Sequence, residues 1–551
     1  MSSASTGQRD ASSAPSPREP ESQSAPPAPG RPATARSGGW PALAAKYLPV
    51  AVPAAVMLVL GVWGLPRQNA MGNDEIVTKF AARLSLGQLA RMVFLHTDIF
   101  HALYYLIMHV WVVLGDSPTI LRIPSLIAMV AAVALAAHVG RRLSGSAWTG
   151  LCAGLVMALT PSITFYAQTA RSYAMVVFCA LAATLALVRA LEAEAAGAAR
   201  ERVLRRWLVY AGLITLCGYM NEICLTVLAA HAVTVLLDRP ARRVIVNWVR
   251  AAAGGAALVL PIAVISWRER AADAWITRPH LHDVGVLFHD YFGATNLVAV
   301  FLLLCALVAL LPAGRPAWWR SSGISLPSVA APLLVVPCGL VFLESLVGKP
   351  IYVDRYVLFC ETGAALLAGA GVTRIGGWLG QRIAGQIGDG ADRRLLGATS
   401  LVTGAVVCLG VLLLQLGPQQ RARTPLTRQF DYGTPARYVG ARERPGDGIL
   451  FFNSFYRKIR LGYPQDFRDT ADFAMRESPG QSATLNGFDK PFSAVRPLML
   501  RYQRIWVVGR VPSARVSNPS IRGEGDLLIS RFTRVAERKF KGMIVTLWVR
   551  R

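Results

Sequence analysis

Residues 51–78 read AVPAAVMLVLGVWGLPRQNAMGNDEIVT. The uncharged run from 51 to 65, with the residues just before it, is about the length that crosses a bilayer. Asp74 and Glu75 follow it directly. A charge at the mouth of a membrane helix is costly unless it faces water or a partner, so the stretch raises two linked questions: whether the chain is a membrane protein, and what the carboxylates meet.

Composition answers the first. The chain has 551 residues, 53% hydrophobic and 16% charged, more apolar side chain than a soluble protein of this length hides in one core. Further apolar runs at about 122–140, 147–166, 173–190, 207–219, 222–237, 245–266, 296–312, 327–346, 357–373 and 398–416 bring the expected total to about eleven spans. The net charge of +26 sits in short clusters between these runs and in the C-terminal region, with no nucleic-acid-binding motif. It reads as the positive-inside bias plus attraction to anionic lipid. All eight cysteines lie in apolar segments, where cysteine acts as a small hydrophobe.

The expected architecture is an all-α polytopic membrane protein with a small α/β domain at its C-terminus. Residues 1–45, rich in Ser, Ala and Pro, read as a disordered cytoplasmic tail; 46–417 as the transmembrane module; and 418–551 as a soluble domain with strands at 447–453, 504–510 and 542–550. Arginines at 141–142, 200–206, 239–243, 315–320 and 393–394 fall in alternate connections and mark the cytoplasmic side. That puts 67–121, 167–172, 267–295, 347–356 and the C-terminal domain outside, in a multi-pass protein of the plasma membrane. HALYYLIMHVWVVLG (101–115) is too short to span and carries His101, Tyr105 and His109 on one face. It reads as an interfacial helix, with Tyr104 and Tyr105 as interfacial anchors.

Six of the eight histidines (His96, His101, His109, His280, His282, His289) lie in two of the outer loops. The other polar stretches there are NDE (73–75), LHTDIFHALYY (95–105), LRIPS (121–125), FYAQTARSYA (165–174) and KPIYVDRY (349–356). This order of an Asp-Glu pair, an amphipathic His/Tyr helix, an Arg-x-Pro-Ser helix start, a Tyr-Ala-Gln-x-Ala-Arg-x-Tyr motif and a late Arg-Tyr resembles the C-type (GT-C) multi-span glycosyltransferases. Within them it is most similar to an actinobacterial mannosyltransferase-like branch related to protein O-mannosyltransferases and lipid A aminoarabinose transferases. The resemblance covers about residues 48–375.

It implies inverting transfer of a sugar, mannose or a pentose, from a polyprenyl-phosphate donor to a hydroxyl acceptor on the outer face. The acceptor is a protein, a glycolipid or a wall polysaccharide. A first-loop carboxylate serves as base in the family, which matches Asp74, with Glu75 beside it. Arg171 and Arg355 suit the leaving phosphate, and His96, Asp98, His101, Tyr105, Gln168, Tyr173, His280, His282 and Tyr356 are the candidate substrate contacts. Duller roles compete: Asp74 and Glu75 as helix-capping acids, and Asp354 as a partner of Arg355. Glu75, His96, Asp98 and His101 are also candidate ligands for a divalent metal. Where relatives often carry Glu, this chain has Thr169. A transporter or flippase of lipid-linked saccharide, or a non-catalytic glycan-binding paralogue, is the alternative; a transporter would place its ionisable residues at the bilayer midplane, and this chain loads its outer loops instead.

Overall fold

The computed structural model describes residues 40–551 apart from 69, 97, 270–273, 312–323, 388–392, 425–426, 428–429 and 510–517. Most of the expected N-terminal tail thus lies outside the described residues. Residues 45–551 form one compact unit. The first helices are α1 (Trp40–Val62), α2 (Asn73–Arg83), α3 (Leu86–Leu95), α4 (Ala102–Trp111), α5 (Pro118–Ser144), α6 (Ala147–Leu159), α7 (Pro161–Ala167) and α8 (Tyr173–Ala195). There follow α9 (Arg200–Met220), α10 (Val227–Asp238), α11 (Arg242–Ala257), α12 (Leu260–Glu269), α13 (Leu281–Phe292), α14 (Asn296–Leu310), α15 (Leu326–Val347), α16 (Glu361–Ile387) and α17 (Arg393–Ala422).

Every one of the expected apolar runs is helical. Among the described residues, six helices are long and apolar enough to cross a membrane, and up to nine if each bent pair α6–α7, α11–α12 and α13–α14 is one span. The expected total was larger because it counted α9, whose first turns carry Arg200, Arg202, Arg205 and Arg206, and α10, which is only 12 residues long. Proline lacks the N–H that would continue the ladder, and Pro161 marks the 68° bend between α6 and α7. The bend delivers the 168–173 turn to the end of the bundle.

Small residues let the central helices close up. A Cβ on Gly369 of α16 would come within 2.4 Å of the Ala153 backbone of α6. The short helix α4 packs against α2 and α9, and this buries Tyr104 and Tyr105 completely. The expected interfacial anchors are therefore interior side chains, because the helix meets protein on the face they occupy. His231 of α10 lies between Thr184 Oγ1 of α8 at 3.0 Å and the Tyr210 hydroxyl of α9 at 3.1 Å.

The C-terminal region contains α18 (Gly433–Gly440), β1 (Asp447–Phe451), α19 (Lys458–Gly462), β2 (Thr470–Asp472), β3 (Met475–Glu477), α20 (Pro479–Ser482) and β4 (Phe488–Asp489). After these come α21 (Phe492–Met499), β5 (Arg504–Val508), α22 (Pro519–Arg531), β6 (Phe532–Phe540) and β7 (Met543–Arg550). The main sheet has the order β2-β1-β5-β7-β6. Strand β1 runs parallel to β2 and β5, while β7 is antiparallel to β5 and β6. The strands expected from apolar runs are β1, β5 and β7; β6, mostly exposed and with four charged residues in nine, is an edge strand whose sequence gives little apolar alternation.

One face of this sheet shares a core with the loop and helix that follow α1: Met71 and Ile76 cluster with Tyr432, Tyr463, Phe467 and Trp506. A Cβ at Gly462 would meet Ile76 Cδ1 at 2.9 Å, so α19 lies this near α2 because position 462 lacks one. The buried Met71 N–H donates to the Tyr463 hydroxyl at 2.6 Å. Tyr463→Phe leaves that N–H unsatisfied and is expected to cost about 1–3 kcal/mol, readable as a lower unfolding midpoint with the helical signal of the native protein unchanged.

Candidate functional site

The turn after α1 is held by one buried cation. Arg122, in the first turns of α5, is fully buried and donates to Glu75 Oε1 at 2.7 Å, Glu75 Oε2 at 3.0 Å, the Gln68 carbonyl at 2.6 Å and the Ala70 carbonyl at 2.8 Å. Glu75 also accepts from the N–H groups of Gly72 and Ala170, both at 3.0 Å. Its two oxygens thus cap α2 and tie it to the 168–173 turn. The capping role weighed for this pair belongs to Glu75, which does not line the cavity described next.

That cavity, about 480 Å³, lies between the helix ends and the C-terminal region, lined by Asp74, Asp98, Arg171, Tyr173, Arg355 and Tyr356 among others. Asp74 Oδ2 is 4.0 Å from Arg171 Nε and 3.8 Å from Arg355 Nε, and accepts from the Tyr173 hydroxyl at 3.3 Å. Burial works to raise its pKa, but Arg171, Arg355, His101 and an Asn73 hydrogen bond outweigh it and hold the carboxyl well below the usual range. Arg171 NH1 donates to the Tyr105 hydroxyl at 2.6 Å, and that hydroxyl donates to Asp98 Oδ2 at 2.8 Å. The Arg171 Nε is buried without a hydrogen-bond partner. Arg355 Nε donates to Tyr173 at 2.9 Å, and its guanidinium lies about 5.5 Å from the ring centres of Trp275 and Tyr356.

The remaining expected residues divide. His101 is buried against Ser172 at 3.3 Å, its pKa pushed well below the ordinary value by burial and then by Arg171. Gln168 bonds the carbonyls of Gly61 at 2.8 Å and Trp63 at 2.9 Å and accepts from Gln68 at 2.8 Å, which fastens α7 to the end of α1 away from the cavity. Thr169 turns its hydroxyl back to the Phe165 carbonyl at 2.8 Å. His96, His280 and His282 are exposed, and none lines the cavity. The described residues contain no group of three or more His, Cys, Asp or Glu side chains placed to hold a metal ion.

Several lining residues escaped the sequence reading. Phe430, Phe455 and Lys458 come from the C-terminal region. Lys458 is 5% exposed, donates to Asn73 Oδ1 at 3.1 Å and lies 4.1 Å from the centre of the Phe455 ring. Burial pushes its pKa down to about 8 against the pull of Asp98 and Asp74. A lone lysine 384 positions after Asp74 carries no spacing signal that would place it here. Glu269, at the end of α12, also lines the cavity and accepts from the Ile99 N–H at 3.2 Å. A second cavity of about 580 Å³, mostly apolar, shares Phe100, Ser266 and Tyr356 with the first and extends along Ile223, Ala263, Trp267, Ile276 and Ile351.

At the level of sequence, no family model matches the chain and no curated protein matches it. In three dimensions the chain shares its fold with solved structures of ArnT. The chain is similar to the crystal structure of ArnT from Cupriavidus metallidurans in the apo state, with a TM-score of 0.55 and 12% identity over 92% of this chain and 98% of that one. It is likewise similar to the same protein bound to undecaprenyl phosphate, with a TM-score of 0.52 and 13% identity over 90% and 97%.

Proposed function

We propose that the chain is a membrane glycosyltransferase that moves a sugar from a polyprenyl-phosphate donor to an acceptor hydroxyl, with the reaction in the cavity around Asp74. The observation that supports this best is the convergence of two arginines, from the 168–173 turn and from the segment before α16, on one carboxylate in the same cavity. One of those guanidiniums keeps a buried donor without a partner. Two cations with an unused N–H suit a phosphate, and the adjoining apolar cavity suits the start of a lipid tail. Undecaprenyl phosphate is the ligand bound by the similar ArnT structure.

In the reaction the acceptor oxygen attacks the anomeric carbon, the bond from that carbon to the phosphate oxygen breaks, and polyprenyl phosphate leaves. The acceptor proton passes to Asp74, and attack opposite the leaving group inverts the configuration. A carboxyl held far below neutrality is a weak base while both arginines face it uncompensated. Donor phosphate neutralises part of that field, so donor binding raises the Asp74 pKa toward useful values. Glu75 and Gln168 position this machinery, and the outer face is the side that the arginine clusters assign to it.

Lys458 adds a third cation with a pH limit. Below about 8 it is charged and favours the donor phosphate; above that it is neutral. The expected kcat/KM falls as pH rises through about 8, and Lys458→Arg moves that limb upward by two units or more. An unchanged limb in Lys458→Arg would remove the lysine from donor binding.

The test of the reading is to incubate the protein in nanodiscs with polyprenyl-phosphate mannose and polyprenyl-phosphate pentoses and to follow release of polyprenyl phosphate. Release with at least one donor is expected. Transport across sealed vesicles of an intact, uncleaved donor would favour the transporter instead.

A further inference from the structure

The C-terminal region has a cavity of its own, about 630 Å³, lined by Asn453, Ser454, Asp489, Asn518, Ser520 and Glu524 among others. It sits at a particular place in the sheet. Beyond β1 the chain turns to β2 on one side, and beyond β5 it passes through α22 to β6 and β7 on the other. The adjacent parallel strands β1 and β5 therefore end at a topological switch point, where crevices of open α/β sheets take their ligands.

Two features show that the crevice is a built site. One lining carboxyl is held in place by a buried cation: Arg457 donates to Asp489 at 2.5 Å, as well as to Asp472 at 2.6 Å and the Asn486 carbonyl at 2.6 Å. Glu524, on α22, is only 6% exposed and lines the cavity. Burying a carboxyl is expensive unless something pairs with it. Burial and Asp489 push its pKa up to about 7 in spite of Arg457, so near neutrality it can either donate or accept.

The chemistry favours a neutral ligand rich in hydroxyls. The carboxyls of Asp489 and Glu524 are balanced by Arg476 and Lys490 on the same lining, cations already engaged with Glu477 at 3.3 Å and the Phe473 carbonyl at 3.0 Å, and the N-terminal N–H groups of α22 are taken, because Asn518 Oδ1 accepts from Ser520 N at 3.0 Å and Ile521 N at 3.4 Å. A phosphate site would need those donors free. Carboxyls, amides and hydroxyls interleaved beside the Phe451 and Ile521 walls match the alternating O–H and C–H faces of a sugar. We infer that this crevice is a second, non-catalytic saccharide-binding site, formed by Asn453, Ser454, Ser520 and Glu524 at the carboxyl ends of β1 and β5.

The site has a direct structural link to the reaction centre. Asn453 and Ser454 line the saccharide crevice, while Phe455 and Lys458, one to five residues further on, line the Asp74 cavity. A saccharide held in the crevice thus bears on the segment that carries Lys458. The binding inference rests on the crevice alone and stands apart from the transferase reading.

The test is saturation-transfer NMR and titration of the full chain in nanodiscs with neutral linear tetrasaccharides of mannose, glucose and arabinofuranose, with inorganic phosphate and a hexose phosphate as anionic probes. At least one tetrasaccharide is expected to bind, at least tenfold more weakly to Glu524→Gln and not at all, in this component, to Ser520→Trp, a partly exposed position. The same component is expected to survive Asp74→Asn. Absence of tetrasaccharide binding, binding unchanged in Ser520→Trp, or preference for the phosphates would overturn the inference. Binding without turnover of any lipid-linked sugar would leave it standing and count against the transferase.

Discussion

Asp74→Asn is expected to abolish sugar transfer, lowering kcat by about 10²–10⁴, while donor binding stays within a few-fold of wild type. Asparagine keeps the shape and the hydrogen bond from Tyr173 but cannot take the acceptor proton. It also removes the negative charge that faces Arg171 and Arg355 at 4.0 and 3.8 Å, so binding of the anionic donor is expected to hold or tighten. In wild type the two pH profiles separate. The acid limb of kcat/KM reports the free enzyme, where the arginines hold Asp74 far below its ordinary value. The acid limb of kcat reports the donor complex and is expected at higher pH. Coincident limbs, or near-normal turnover in Asp74→Asn, would take the base role away from this residue.

The second large effect is structural. Arg122→Ala strands Glu75 in a fully buried place and is expected to cost about 3–5 kcal/mol. Glu75→Gln leaves the Arg122 guanidinium with its two backbone carbonyls and a neutral amide, and should cost a comparable amount. Because the two side chains act as one pair, the double variant Glu75→Gln/Arg122→Ala is expected to lose clearly less than the sum. Unfolding monitored by denaturant or heat in one detergent reads all three. Full stability in Glu75→Gln together with a loss of turnover like that of Asp74→Asn would move Glu75 from positioning into the chemistry.

These two neighbours show what the sequence could and could not convey. Apolar run lengths located the six long apolar helices among the described residues, since hydrocarbon imposes a length and composition that few other contexts demand. Span totals were less secure where arginines crowd a helix start, as in α9. The motif order brought Asp74, Asp98, Arg171, Tyr173, Arg355 and Tyr356 to one cavity, but it could not divide labour between Asp74 and Glu75. Adjacent positions on a helix point about 100° apart, and only packing decides which one meets Arg122 and which meets open space. Gln168 and the exposed His280 and His282 were drawn in by residue type, although a glutamine that closes three backbone and side-chain bonds looks the same in sequence as one that binds a sugar. Lys458, Phe455 and Phe430 were invisible because their approach depends on docking of the C-terminal sheet against α2, a long-range contact with no periodic trace.

The central claim is that Arg171 and Arg355 form the seat of a lipid-linked phosphate. Its most direct test is the affinity of undecaprenyl phosphate, without sugar, for wild type, Arg171→Gln and Arg355→Gln in nanodiscs of neutral lipid. Saturable binding to wild type that competes with the sugar donor and weakens at least tenfold in each variant is expected. Equal affinity in all three proteins, or binding that fails to compete with the donor, would contradict it.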